Sequence, residues 1–231
     1  MAQEPLETQD AQACELPEPE EKTRLRRTVQ WIMLALVPIV IIGGLFWPYL
    51  GFIVPLVMIT GMLGGFFRGR WVCGWLCPRG AFLERVMSKM SFNLGIPAFL
   101  RKYSFRWVLF ALLMGFMVFR LSANPASAEH WGRVFVQLCM VTTGVGLLLA
   151  VLFHPRTWCS FCPVGTFSST IGGDKQPMQI AEGCRGCKLC EQACPLNLEI
   201  AKHADGGEMK DRDCLRCGEC ATACPANILK V

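Results

Sequence analysis

Cys184, Cys187, Cys190 and Cys194, followed by Pro195, read C-x-x-C-x-x-C-x-x-x-C-P, and Cys214, Cys217, Cys220 and Cys224, followed by Pro225, repeat the pattern. Each compact C-x-x-C-x-x-C turn can wrap three corners of a four-iron cluster. The fourth thiolate must come from the other run, because the chain has by then left on a short helix. The expected ligand sets are Cys184, Cys187, Cys190 and Cys224 for one 4Fe-4S cluster and Cys194, Cys214, Cys217 and Cys220 for a second. Zinc knuckles and plain disulfides are the alternatives. Eight thiolates in so short a segment leave room for almost no core, so bound metal must supply much of the folding energy.

The rest of the chain belongs to a different solvent. Of 231 residues, 52% are hydrophobic, and the mean hydropathy is +0.36. Residues 29–47, 50–67, 107–119 and 134–153 are apolar runs that read as four membrane spans, the third reaching full length only if flanking residues extend it. The short turn around Pro48 joins the first two into a hairpin. Residues 1–28 are expected to form a disordered acidic tail, containing an incidental Cys14, and a basic juxtamembrane segment.

Between the hairpins, Arg68, Arg70, Arg79, Arg85, Lys89, Arg101, Lys102 and Arg106 face the single acid Glu84. By the positive-inside rule this stretch, and with it both termini, is cytoplasmic. Within it Phe82, Leu83, Val86, Met87, Met90 and Leu94 recur at helical spacing opposite Glu84, Arg85, Ser88 and Lys89, until Pro97. That pattern predicts an interfacial amphipathic helix. The net charge of +5 is modest and no basic run alternates with aromatic residues, which argues against a nucleic-acid partner.

Two further motifs are versions of one another. Arg70-Trp-Val-Cys73 leads to Cys77-Pro78-Arg-Gly80, and Arg156-Thr-Trp-Cys159 leads to Cys162-Pro163-Val-Gly165. Each follows the second helix of a hairpin, so residues 29–171 read as two half-repeats about a pseudo-twofold axis. Cys73, Cys77, Cys159 and Cys162 would then meet at the cytoplasmic face, where they could bind a third iron-sulfur cluster, act as reversible dithiols, hold another metal or be structural. Their unequal spacing counts against exact equivalence. Trp71, Trp75 and Trp158 read as interface anchors that would also keep water from a cluster, and Cys139 reads as a small apolar residue.

Paired Cys-Pro motifs on a multi-span domain, followed by a double 4Fe-4S segment, resemble the NapH/MauN group of ferredoxin-type membrane proteins. More distantly they resemble the membrane portions of NosR and of the CcoG/RdxA copper-oxidase assembly proteins. The resemblance covers residues 29–231. It implies a bacterial inner-membrane protein that oxidises quinol, as the quinol-oxidising component of an oxidoreductase complex, or carries electrons toward a periplasmic reductase. A second ferredoxin or a cytochrome would be its partner, since the chain has no sizeable periplasmic segment and no C-x-x-C-H haem motif. A redox assembly factor, reducing a metal or disulfide as a membrane metalloprotein matures, is the alternative. His154 with Arg156, or Glu129 with His130, are candidates to handle quinol protons; with His203 these are the three histidines, and none lies at mid-span to hold haem. The expected fold is therefore an all-α membrane domain with a small α+β ferredoxin domain at residues 172–231.

Overall fold

The computed structural model describes residues 21–230. Most of the acidic segment, including Cys14, lies outside them. The chain opens with α1 (Glu21–Phe46) and α2 (Pro48–Arg68), an antiparallel pair of helices long and apolar enough to cross a membrane. Pro38 is followed at once by a π-helical stretch, Ile39–Gly43, because proline removes one ladder donor and its ring crowds the preceding turn. Next come α3 (Trp71–Trp75) and α4 (Pro78–Met87). After the short α5 (Ala98–Arg101) the order repeats: α6 (Tyr103–Ser122) and α7 (Ala128–Leu152) are again of membrane-crossing length, followed by α8 (Thr157–Phe161) and α9 (Pro163–Gly172).

The half-repeats interlock. Helix α4 packs on α1 of its own half and on α7 of the other, while α9 packs on α6 of its own half and on α2 of the other. At the end away from the cysteines the backbones touch: a Cβ on Gly132 would stand 2.1 Å from the Pro48 carbonyl oxygen, and one on Gly51 would stand 2.2 Å from that of Gly132. Membrane helices gain little from the hydrophobic effect against lipid, so small residues that allow such approach hold them together. Gly132→Ala is therefore expected to cost about 1–3 kcal/mol through overpacking. An unchanged thermal midpoint in detergent would refute this.

One local expectation is met and two need revision. The third apolar run becomes a 20-residue helix, because its first turn includes Arg106, which is 2% exposed and neutralised by Asp213. Helix α1 starts at Glu21, and its Thr23, Arg26 and Gln30 are buried, so this turn is a docking element. The amphipathic helix stops at Met87 and is not a surface helix: Leu83 and Met87 are buried with Ala150 and Trp158, Met90 and Leu94 are exposed, and Glu84 points inward among arginines.

The C-terminal segment contains β1 (Gln179–Ile180), α10 (Leu189–Gln192), α11 (Glu219–Thr222) and β2 (Leu229–Lys230). The strands pair antiparallel, Gln179 opposite Lys230 and Ile180 opposite Leu229. Met178, Ile180, Leu196, Leu198, Ile200, Met209 and Leu215 form a small core in contact with the cysteines.

Candidate metal centres

The residue before a proline is pushed out of the helical region, and proline itself suits the first turn of a helix. Cys77 (ψ 112°) and Cys162 (ψ 136°) are accordingly extended, each at a sharp corner where a new helix begins with proline. The one-residue difference in spacing is absorbed locally. In the first motif Leu76 caps α3, and the Cys77 amide donates to the Val72 carbonyl (3.1 Å); in the second Cys162 is itself the cap and donates to the equivalent Trp158 carbonyl (3.0 Å).

Two arginines cross between the halves. Arg70 donates to the Cys159 carbonyl, and Arg156 donates to the Cys73 carbonyl at 3.0 Å. Gly165 and Gly80 make room for them: a Cβ would stand 2.8 Å from Arg70 Nη2 and 3.0 Å from Arg156 Nη1 respectively. Cys73, Cys77, Cys159 and Cys162 all line one cavity of about 160 Å³. Its other walls are apolar side chains of α1, α2, α6 and α7, with Arg70, Arg79 and Thr142 among its polar residues.

The ferredoxin-like cysteines sort into two further cavities. Cys184, Cys187, Cys190 and Cys224 line one; Cys194, Cys214, Cys217 and Cys220 line the other. The two runs share their backbone turns: φ is positive at Gly186 and Arg216, at Lys188 and Gly218, and at Asn197 and Asn227, which are equivalent positions. Left-handed residues at short intervals turn successive amides toward one side, the geometry of an anion-binding nest. Among the described residues no three His, Cys, Asp or Glu side chains converge closely enough to share a single ion; the thiols stand around cavity walls instead.

The second of these cavities abuts the membrane half. Cys73 and Cys159 belong to the same hydrophobic cluster as Leu215, Cys217 and Cys220. A Cβ on Gly74 would stand 2.6 Å from the Leu215 carbonyl oxygen, and Trp75 Nε1 donates to the Arg216 carbonyl at 3.2 Å. Trp75 is thus a docking residue, and Trp158 is buried at 5% exposure. Gly69, at φ +57°, leaves space for the Arg216 guanidinium, which donates to the Arg68, Gly172 and Gly173 carbonyls.

Two charged chains brace this junction. Asp213 accepts from Arg70 Nη1 (2.9 Å) and Arg106 Nη1 (2.8 Å). Glu219 accepts from Arg26 and Arg27, and Arg26 also reaches Glu84 (2.8 Å), which accepts from Arg156 Nε (2.7 Å). Burial alone would raise the Glu84 carboxyl, but Arg156 and Arg26 outweigh it and hold it at about 2. Burial would likewise raise the Asp213 carboxyl, but Arg70 and Arg106 overcome it, and its value is lowered. The thiols behave oppositely: burial pushes Cys73 up to about 12 against the pull of Arg70, and Cys159 up to about 11 against Arg156. Burial thus disfavours the free thiolate at these two positions, whereas a coordinated metal displaces the proton.

Of the residues proposed for proton handling, Arg156 bonds the Cys73 carbonyl, and the others lie elsewhere. His130 Nε2 is 2.9 Å from the Arg120 carbonyl oxygen and Glu129 pairs with Arg133, both at the opposite end of the helices from the thiols. His154 does not line the thiol cavity. Sequence reasoning gave no role to Arg26, Glu84, Asp213 or Glu219; the one available signal was that Arg70 and Arg156 hold the same place in both motifs.

A 4Fe-4S binding domain family matches residues 50–97 and 137–177, one stretch in each half-repeat, and a 4Fe-4S dicluster domain family matches residues 176–225. Among curated proteins, the ferredoxin-type protein NapH of Haemophilus influenzae is 27% identical over 68% of this chain and 60% of its own length. The putative electron transport protein YccM of Escherichia coli is 26% identical over 66% of this chain and 48% of its own. The regulatory protein NosR of Pseudomonas aeruginosa is 27% identical over 66% of this chain and 23% of its own. The chain thus spans less than two thirds of each. No solved structure matches it. The chain is thus similar to NapH, YccM and NosR, and matches a 4Fe-4S binding family in both half-repeats and a 4Fe-4S dicluster family after them.

Proposed function

We propose that this chain is an iron-sulfur electron-transport protein of the bacterial inner membrane that takes electrons from quinol and relays them toward a redox partner serving a periplasmic reductase. Cys184, Cys187, Cys190 and Cys224 hold one 4Fe-4S cluster, Cys194, Cys214, Cys217 and Cys220 a second, and Cys73, Cys77, Cys159 and Cys162 a third at the membrane edge. Such clusters supply one-electron exchange at potentials tuned by charge, hydrogen bonds and exposure. The observation that carries this reading is that each thiol quartet lines its own cavity.

The arrangement supports a relay in other ways. The membrane quartet opens onto an apolar cleft lined by Leu36, Val40, Val57, Leu113 and Leu138, the kind of surface a quinol ring and its tail require. Arg79 supplies a polar group there, its Nη2 3.5 Å from Cys139 Sγ. At the far end Cys184 and Cys187 are exposed, where a second ferredoxin or a cytochrome can approach. The basic residues gathered beside the ferredoxin-like segment support cytoplasmic termini.

Iron and acid-labile sulfide per chain test the reading on anaerobically purified protein. About twelve irons are expected in wild type, and about eight when Cys73, Cys77, Cys159 and Cys162 are all changed to serine. Equal iron in both would refute the membrane-edge cluster.

A further inference from the structure

We infer that Arg70 is a positioning residue for the membrane-edge thiol site, supplying a fixed positive charge and an N–H donor that raise the reduction potential of the group held there. The inference rests on the reading of Cys73, Cys77, Cys159 and Cys162 as cluster ligands.

Arg70 is 1% exposed and lines the cavity shared by the four thiols. Its Nη2 is held by the Cys159 carbonyl and its Nη1 by Asp213. Its Nε is buried with no acceptor among the described residues, and so is Trp158 Nε1 from the same cavity wall. A buried guanidinium donor left unmatched costs free energy. Cluster sulfurs are acceptors, and hydrogen bonds to them are a recognised means of tuning potential. These two orphan donors therefore fit an anionic, sulfur-rich group between the half-repeats.

Arg156 holds the equivalent place in sequence but differs in its surroundings. Its Nε is taken by Glu84 at 2.7 Å, and it is not among the residues lining the cavity. The pseudo-symmetry is thus broken at the arginines: one serves the cavity, the other braces α4. The side that serves the cavity is also the side joined, through Asp213, to the loop bearing Cys214. Arg70 therefore lines the membrane site and bonds the residue next to Cys214.

On one-electron reduction the group gains one negative charge and Arg70 stays cationic, so the charge favours the reduced form and its removal must lower the potential. The test is potentiometric titration followed by electron paramagnetic resonance, reading the signal that disappears in the four-cysteine serine variant. Arg70→Gln is expected to lower the reduction equilibrium constant of that signal at least tenfold, about 59 mV for one electron, while the two ferredoxin-like signals move less. Arg70→Lys keeps the charge against Asp213 but lacks the Nε donor, so a smaller fall with an altered line shape is expected; it also serves as the test if the glutamine variant does not fold. Full iron content with an unmoved potential and line shape in either variant would overturn the inference. Wild-type protein with about eight irons and no such signal would instead sink the cluster reading beneath it, and the inference with it.

Discussion

Cys224→Ser is expected to remove the iron held with Cys184, Cys187 and Cys190, and Cys194→Ser the iron held with Cys214, Cys217 and Cys220, so that each substitution damages the site of the other run. The reason is the sorting of thiols by cavity: Cys224 lies with the first run and Cys194 with the second. Each variant should lose about four irons per chain, and the two losses should fall on different paramagnetic signals. Loss of the same signal in both, or damage confined to the run that carries the substitution, would refute the crossed assignment. The two substitutions together should do more than add. The core of this segment is a handful of aliphatic side chains in contact with the cysteines, so with neither site filled it cannot offset its chain entropy. Residues 176–230 are then expected to become sensitive to protease while the helical membrane half stays resistant. A double variant as resistant as wild type would show that the segment folds without iron.

Glu84→Gln should cost about 3–5 kcal/mol, the range for removing one partner of a buried ion pair. Glu84 neutralises Arg26 and Arg156, which are 0% and 1% exposed, and glutamine leaves both guanidinium groups short of countercharge. Glu129→Gln is the natural comparison, since Glu129 and Arg133 form an exposed pair within one helix and such pairs contribute about 0–1 kcal/mol. The expected result is a large drop in thermal midpoint for the first and almost none for the second; equal drops would refute the electrostatic account. The sign with pH follows from the lowered value of about 2. The stabilisation is full above the unfolded carboxylate value of about 4.5 and is lost as pH falls toward about 2. The gap between wild type and Glu84→Gln should therefore stay constant between about pH 8 and pH 6.

Much of this protein is written in local pattern. Apolar runs near bilayer length, the duplicated cysteine spacings and the Cys-Pro corners are properties of neighbouring residues. They are legible because membrane solvation, metal ligation and proline sterics act over short stretches of chain. The crossed thiol sets are proposed on the same kind of ground: a turn that supplies three ligands cannot reach back with its fourth. By itself the sequence thus determined the membrane helices and the two half-repeats with their duplicated cysteine motifs. What it could not determine was the fate of the charges. Arg26, Arg70, Arg106 and Arg156 look like ordinary juxtamembrane cations, and Glu84 like the polar face of a surface helix. Only tertiary packing buries and pairs them: the membrane half brings Arg26 and Arg156 to Glu84, and the ferredoxin-like segment brings Asp213 to Arg70 and Arg106 and Glu219 to Arg26. A buried ion pair depends on partners brought together from distant parts of the chain, here from residue 26 to residue 219. No local pattern encodes that meeting, so the tertiary structure alone decided where the charge sits beside the thiols.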